Sequence, residues 1–298
     1  MTDWSLTLSA PAKINLYLGV HTERDGRGYH KVDSLMAAVG LADTVTVAPA
    51  QELTVQTVPA SNFPMQKNTA YRAAVAMAKH YGREANICVT IEKHIPLCAG
   101  LGGPSTDAAA VIVALAELWG VDHADPALDN IARGIGADVP FFLHASPAFY
   151  VGGGDVLATE YPALPATPVV LVKPREASVS TIEAYRRFDE TPVPAEKPGA
   201  IASALRSGDA EMAYALVHNN LGVISAQMEP QIQTVLDWLR AQDGAVAVDV
   251  CGSGACSFAI CDTAVTAANL AEAAQQNGWW SCATELIPNT VCVEVPKK

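Results

Sequence analysis

Two charged residues stand in surroundings that otherwise carry no charge. Lys13 lies in Ser9-Ala10-Pro11-Ala12-Lys13-Ile14-Asn15-Leu16-Tyr17-Leu18, and Asp138 in Gly134-Ile135-Gly136-Ala137-Asp138-Val139-Pro140-Phe141-Phe142. Such side chains are rarely buried unless paired. One reading is a structural ion pair, or an aspartate helix cap. The other is a catalytic pair joined from distant parts of the chain. Between them runs Pro96-Leu97-Cys98-Ala99-Gly100-Leu101-Gly102-Gly103-Pro104-Ser105-Thr106-Asp107-Ala108-Ala109-Ala110. A strand-like run ends at Glu92, a glycine loop follows, and helical spacing starts near Ser105. Glycines let the backbone approach a ligand closely, and the first helical N–H groups point outward at the positive end of the dipole. The combination suits phosphate; a tight structural turn is the competing reading. Ser105 or Thr106 can cap the helix or offer a hydroxyl to phosphate or Mg²⁺. No Gly-Lys-Ser/Thr closes the loop, so it is not of the Walker type. Its glycine spacing, with Asp122 in a loop, also departs from a dinucleotide fingerprint.

A second glycine cluster, Asp249-Val250-Cys251-Gly252-Ser253-Gly254-Ala255-Cys256-Ser257, separates two strand-like runs. It reads as a hairpin turn or as a backbone loop reaching a ligand. The elements that position these segments follow from apolar spacing. Strands are expected at Ser5–Ala10, Ile14–Val20, Thr44–Ala48, Leu53–Thr57, Ile87–Glu92, Val169–Val172, Val246–Val250, Ser257–Ile260 and Val291–Val295. Helices are expected at Thr69–Tyr81 with Asn68 as N-cap, Ser105–Trp119, Ala127–Arg133, Thr181–Arg187, Glu211–His218, Gln231–Ala241 and Val265–Gln276. Strands dominate the first ninety residues and helices mix in later, which argues α+β. A domain boundary is expected where glycines and prolines cluster between Gly152 and Pro168, dividing the chain into residues 1–160 and 161–298. Thr191–Pro198 reads as a surface loop.

Nineteen basic against 31 acidic residues give a formal charge of −12, and half of the 298 residues are hydrophobic. That composition excludes disorder. It also disfavours nucleic acid and anionic membranes, so an anionic ligand needs a local device. Met1-Thr2-Asp3-Trp4-Ser5 carries no basic-then-apolar leader, and no apolar run is long enough to span a bilayer. Seven cysteines without paired Cys-x-x-Cys spacing read as buried free thiols of a reducing cytoplasm. Trp279-Trp280 reads as core.

Three segments together resemble the motifs of the GHMP kinases, the family of galactokinase, homoserine kinase and mevalonate kinase. They are Pro-Ala-Lys-Ile-Asn-Leu at the start, Gly-Leu-Gly-Gly-x-Ser-x-Asp-Ala-Ala at the centre and Gly-Ser-Gly-Ala near the end. Their order and spacing match across essentially the whole chain. Arg24-Asp25-Gly26-Arg27-Gly28-Tyr29-His30-Lys31-Val32-Asp33-Ser34-Leu35, Gly-Ala-Asp-Val-Pro-Phe-Phe and Ser180-Thr181-x-x-Ala184-Tyr185 are similar to the branch that phosphorylates a methylerythritol bearing cytidine diphosphate, in non-mevalonate isoprenoid synthesis. The resemblance implies a two-domain fold, with a ribosomal protein S5-like N-terminal domain, a ferredoxin-like C-terminal domain and the site in the cleft between them. It implies ATP and Mg²⁺, with Pro96, Ala99, Gly100, Leu101, Gly102, Gly103, Ser105 and Thr106 about the nucleotide, and Ser105 as a metal contact. Asp138 would take the proton of the substrate hydroxyl, with Lys13 beside it. Asn15, Tyr29, His30, Tyr185, Gly252 and Ser253 would contact the second substrate. Flat faces on Tyr29 and Tyr185 suit a base, each stack being worth roughly 1–3 kcal/mol. The implied partners are small molecules alone. The alternatives are another small-molecule kinase of the family and a non-catalytic nucleotide-binding homologue.

Against the family pattern, Pro104 and Cys98 stand where small residues are usual, Thr106 replaces a serine, and Arg27 is an extra residue before Tyr-His. Asn219-Asn220-Leu221-Gly222 lacks an acid. Gly102→Val is expected to block phosphate approach while leaving the core intact.

Overall fold

The computed structural model describes residues 4–60 and 63–293. Met1–Asp3, part of the leader reading, and the end of the strand expected at Val291–Val295 lie outside them. Two long strands, β1 (Leu6–Arg24) and β2 (His30–Pro49), pair antiparallel as the spine of the molecule. The runs expected at Ser5–Ala10 and Ile14–Val20 are therefore one strand. Pro11 between them interrupts the alternation in sequence, and the structure absorbs it as a register shift between Pro11 and Ala12. There follow β3 (Thr54–Val58), α1 (Thr69–Tyr81), β4 (Ile87–Glu92), α2 (Gly103–Trp119), α3 (Pro126–Ile135), β5 (Ala148–Val151) and β6 (Val156–Glu160). Helices α1, α2 and α3 share an apolar core with the β1–β2–β4 face. Helix α1 has the expected limits because Asn68 caps it, its side chain accepting from Ala70 N–H, and Gly82 closes it at φ 60°. Helix α2 is buried at nearly every position from Gly103 to Ala116. It is apolar all round, as a central helix must be.

The second half contains β7 (Pro168–Lys173), α4 (Thr181–Glu190), α5 (Gly199–Ser207), α6 (Ala210–Ala215), β8 (His218–Asn219), α7 (Asn220–Met228), α8 (Pro230–Arg240), β9 (Ala245–Val250), β10 (Ser257–Cys261), α9 (Ala264–Gln276), β11 (Trp280–Ile287) and β12 (Cys292–Val293). Its main strands lie in the order β11-β7-β10-β9, all antiparallel neighbours, with α8 and α9 packed on one face. This is the ferredoxin-like split arrangement. Strand β11 also pairs with β2 through Leu286↔Val39 and Ile287↔Ala38, so one sheet runs through both halves.

Several expectations are corrected. Helices α5 and α7 and strands β5, β6, β8 and β11 were not expected. Only Cys251, Cys256 and Cys261 are buried. Cys88 and Cys282 are half-buried, and Cys98 and Cys292 are exposed. Trp279 and Trp280 are half-buried, Trp279 standing edge-on to Trp238 at 5.3 Å. Among the described residues, no helix is long and apolar enough to cross a membrane.

Burial pushes the Asp249 carboxyl on β9 up to about 7 from an ordinary 3.8, against the opposing pull of the Val250 N–H and Arg240. The folded state then holds this proton to a higher pH than the unfolded chain, so stability is lost as pH rises from about 4 through about 7. Asp249→Asn removes that loss. Thermal melts should show the variant more stable than the parent at pH 8, with the difference gone at pH 4.

Candidate active site

Lys13 and Asn15 are two residues apart on β1 and share one face, while Ala12, Ile14 and Leu16 enter the core on the other. The Lys13 ammonium is buried. It donates to Asn15 Oδ1 at 2.8 Å and lies 3.3 Å from Asp138 Oδ2. Asn15 Nδ2 donates in turn to Ser34 Oγ on β2 at 2.9 Å. Asp138 follows α3, which Gly136 ends, and its side chain remains 36% exposed. The pair is thus anchored on the lysine side and open on the carboxylate side.

The loop between β4 and α2 closes over this pair. Lys13 N–H donates to Leu101 C=O at 3.0 Å. Ala255 and Cys256 N–H donate to Cys98 and Ala99 C=O, both at 3.1 Å, so the two glycine clusters lie against each other. Gly100 is required there, since a Cβ would sit 1.9 Å from the Cys251 carbonyl oxygen. Gly102, at φ 76°, is required for another reason. A Cβ would meet the Phe142 ring at 2.9 Å and the Lys13 stem at 3.1 Å. Gly102→Val would therefore disturb the core and the lysine, contrary to the expectation that it acts only on phosphate. The N–H groups of Gly100, Leu101 and Gly102 make no hydrogen bond among the described residues. Lying at the positive end of the α2 dipole, they are free donors suited to an anion. Helix α2 starts at Gly103 rather than Ser105, which places Pro104 in its first turn, where a missing N–H breaks no helical bond.

These groups line a cleft of about 900 Å³. Pro96, Ala99, Gly100, Leu101, Gly102, Gly103 and Ser105 border it, as do Lys13, Asn15, Asp138, Tyr29, His30, Tyr185, Gly252 and Ser253. Thr106 does not. It is fully buried one residue further round α2, and its hydroxyl has no partner. Neither Ser105 nor Thr106 caps the helix.

At the far end, the His30 ring stacks at a tilt on Tyr185, centroids 5.2 Å apart, and edge-on to Phe188 at 5.8 Å. His30 Nδ1 donates to the His21 carbonyl at 2.7 Å, which leaves Nε2 buried and without a hydrogen bond. Asp189 Oδ1 lies 3.2 Å from Nε2, outside hydrogen-bond geometry. Burial raises the Tyr185 phenol above its ordinary range, and the Asp138 charge adds to the rise. Tyr29 is 62% exposed.

The GHMP kinases N terminal domain family matches residues 68–146, and the GHMP kinases C terminal family matches residues 201–278. A 4-diphosphocytidyl-2-C-methyl-D-erythritol kinase of Mycolicibacterium gilvum is 36% identical over 282 residues, covering 89% of this chain and 85% of its own. One of Mycobacterium tuberculosis is 33% identical over 306 residues, covering 98% and 94%. A crystal structure of 4-(cytidine 5'-diphospho)-2C-methyl-D-erythritol kinase superposes with a TM-score of 0.77 at 33% identity, over 94% of this chain and 98% of the other. The chain belongs to the 4-diphosphocytidyl-2-C-methyl-D-erythritol kinase family of GHMP kinases. A homoserine kinase of Cytophaga hutchinsonii, at 19% identity and TM-score 0.73 over 97% of both chains, shares the fold.

Sequence reasoning assigned no role to the polar groups that hold this GHMP kinase site in place. Asn219 Nδ2 donates to the Val250 and Gly252 carbonyls at 2.9 and 2.8 Å, fixing the second glycine loop. Asn220 bonds both the N–H and the C=O of Val20 on β1, each at 2.9 Å. Two adjacent asparagines before an apolar run were the available signal. Beneath the first glycine loop, Lys93 bonds Asp43 and, at 2.7 Å, Asp107. Asp43 Oδ1 also accepts the His94 and Ile95 N–H groups at 2.6 and 2.8 Å. Burial pushes Asp107 up to about 7, while Lys93 pulls the other way. Lys93→Met would strand two buried carboxylates in the kinase. Denaturant titration should show a loss of about 3 kcal/mol or more. The deficit should grow from pH 6 to pH 9, as the stranded Asp107 carboxyl ionises.

Proposed function

We propose that this kinase transfers the γ-phosphoryl group of ATP to the 2-hydroxyl of 4-diphosphocytidyl-2-C-methyl-D-erythritol, with Lys13 and Asp138 as its catalytic residues. The observation that carries the reading is the 3.3 Å Lys13–Asp138 contact beside a loop of free amides. The phosphates would lie on the Gly100–Gly103 backbone and the start of α2. The substrate hydroxyl oxygen attacks the γ-phosphorus, the bond to the β–γ bridging oxygen breaks, and the proton passes to the exposed side of Asp138. The transition state of such a transfer is loose, so positioning and charge account for most of the rate. Lys13 holds charge on the transferring group, and Asn15, whose amide is already engaged by Lys13 and Ser34, aims the lysine. Mg²⁺ fits as an ion carried mainly by phosphate oxygens, with Ser105 the available hydroxyl. No group of three acidic or histidine side chains suited to a metal occurs among the described residues. When bound it supplies charge neutralisation.

The base site supports the cytidine substrate over homoserine or mevalonate. His30 Nε2 is buried at the cleft without a hydrogen bond, and Tyr29 and Tyr185 offer ring faces. We read residues 1–160 as the half that supplies the phosphate loop and catalytic pair, and 161–298 as the half that supplies Tyr185 and the Gly252-Ser253 loop. The seven free cysteines support a reducing, cytoplasmic compartment.

ADP release should be seen with the cytidine substrate and not with homoserine or mevalonate; the reverse result would reject the substrate reading. Asp138→Asn should lower kcat by about 100-fold or more while ATP still binds. Unchanged turnover would remove the proton-acceptor role. Tyr185→Ala should raise KM for the cytidine substrate by about tenfold and leave that for ATP within about twofold.

A further inference from the structure

We infer that Arg27, the extra residue of the hairpin turn between β1 and β2, is a positioning residue that sets Tyr29 for base recognition. The inference rests on the cytidine site proposed above. The Arg27 guanidinium forks onto Asp155 through Nη1–Oδ2 at 2.6 Å and Nη2–Oδ1 at 2.9 Å, and its Nε donates to Asp25 Oδ2 at 2.8 Å. Asp155 is buried, with its side chain 3% exposed. It also accepts the Gly153 N–H at 3.0 Å and Arg133 Nε at 3.2 Å. The forked contact, helped by Arg133, holds the Asp155 carboxyl down to about 2. A fork of this kind fixes direction as well as distance. Asp25 completes the turn by accepting the Arg27 and Tyr29 N–H groups at 2.8 and 3.0 Å.

The consequence falls on Tyr29. The Arg27 Cζ atom sits over its ring, 5.2 Å from the centroid. Tyr29 is 62% exposed, so without that contact its ring would have to be ordered when substrate arrives, at an entropic cost to affinity. A ring has two faces, and a guanidinium on one leaves the other for a base. The Gly152–Asp155 turn is shaped for the same purpose. A Cβ on Gly153 would stand 3.2 Å from Arg27 Nη2 and 3.5 Å from Tyr29 Cβ. Arg133 closes the network on α3, the helix that leads to Asp138.

The test is a double-mutant cycle with Arg27→Ala, Tyr29→Ala and the pair, read as KM for the cytidine substrate, KM for ATP, kcat and Tm. Arg27→Ala should raise KM for the cytidine substrate by about five- to tenfold, with KM for ATP and kcat within about twofold. Arg27→Lys, which cannot fork, should recover less than half of the loss. In the Tyr29→Ala background, Arg27→Ala should add nothing, because its effect runs through the ring. Should Arg27→Ala fail to fold, Arg27→Gln, which lacks the charge over the ring, carries the same expectations. An unchanged KM for the cytidine substrate, or effects of the two substitutions that multiply, would overturn the inference. If Tyr29→Ala raises KM and Arg27→Ala does not, the inference alone falls. If Tyr29→Ala also leaves KM unchanged, the base-site reading falls with it.

Discussion

The buried Lys13 ammonium is the contact on which the cleft is built. Its backbone N–H holds the first glycine loop through Leu101, and its stem packs under Gly102. Its charge meets Asp138, and the second glycine loop approaches it so closely that a Cβ on Gly252 would stand 3.2 Å from Nζ. An ammonium withdrawn from water costs several kcal/mol unless it is paired and hydrogen-bonded. Here one carboxylate and one amide oxygen offset that cost, and both belong to the site. The interaction that stabilises the charge is therefore the one that aligns the proposed catalytic pair. Asp138 keeps an exposed side because Lys13 is satisfied from within, through Asn15 and Ser34.

For a chain of charge −12, the proposed grip on a triphosphate is a matter of geometry. The unbonded N–H groups of Gly100, Leu101 and Gly102 belong to a loop that borders one cleft at the start of α2, and the second glycine loop braces that loop through Cys98 and Ala99. The acid closest to that helix start in sequence, Asp107, would oppose an anion if left bare. Lys93 sits against it from the end of β4, and Asp43 completes the buried group from β2. The triad ties β2 and the end of β4 to the helix that follows the loop. This is how a loop of glycines, the least ordered of residues, keeps one shape.

Much of this was legible in the sequence where the signal was local. Asn68 and Gly82 bracket α1, the apolar run after Ser105 gave α2 its length, and the turn around Gly252 is the hairpin its glycines suggest. Elements without a local signal were lost. Helix α5 begins Gly199-Ala200 behind a proline-rich loop and has no side-chain cap, so neither spacing nor capping marks its start. Helix α7 is apolar on most sides and opens on two asparagines, a composition shared by turns. Strand β2 extends back to His30 through a half-polar segment whose burial depends on α4 and α7, which lie far along the chain.

The site divides in the same way. Lys13, Asp138 and the glycine loops stood out because charge or glycine in an apolar run needs a reason, and that signal is local. The sequence assigns no role to the groups that hold them, Asn219, Asn220, Lys93 and Asp43, since their importance lies in partners that folding brings in: Asn220 reaches Val20, and Lys93 reaches Asp43. Thr106 shows the converse. Its hydroxyl matched a ligand-binding pattern, yet the turn of α2 carries it into the core while its neighbour Ser105 faces the cleft. Along a helix, adjacent residues diverge by about 100°, so a motif written as consecutive letters cannot say which hydroxyl meets the phosphate. That choice is made by the packing of α2 against the sheet, and with it the assignment of Ser105 rather than Thr106 to the ligand side.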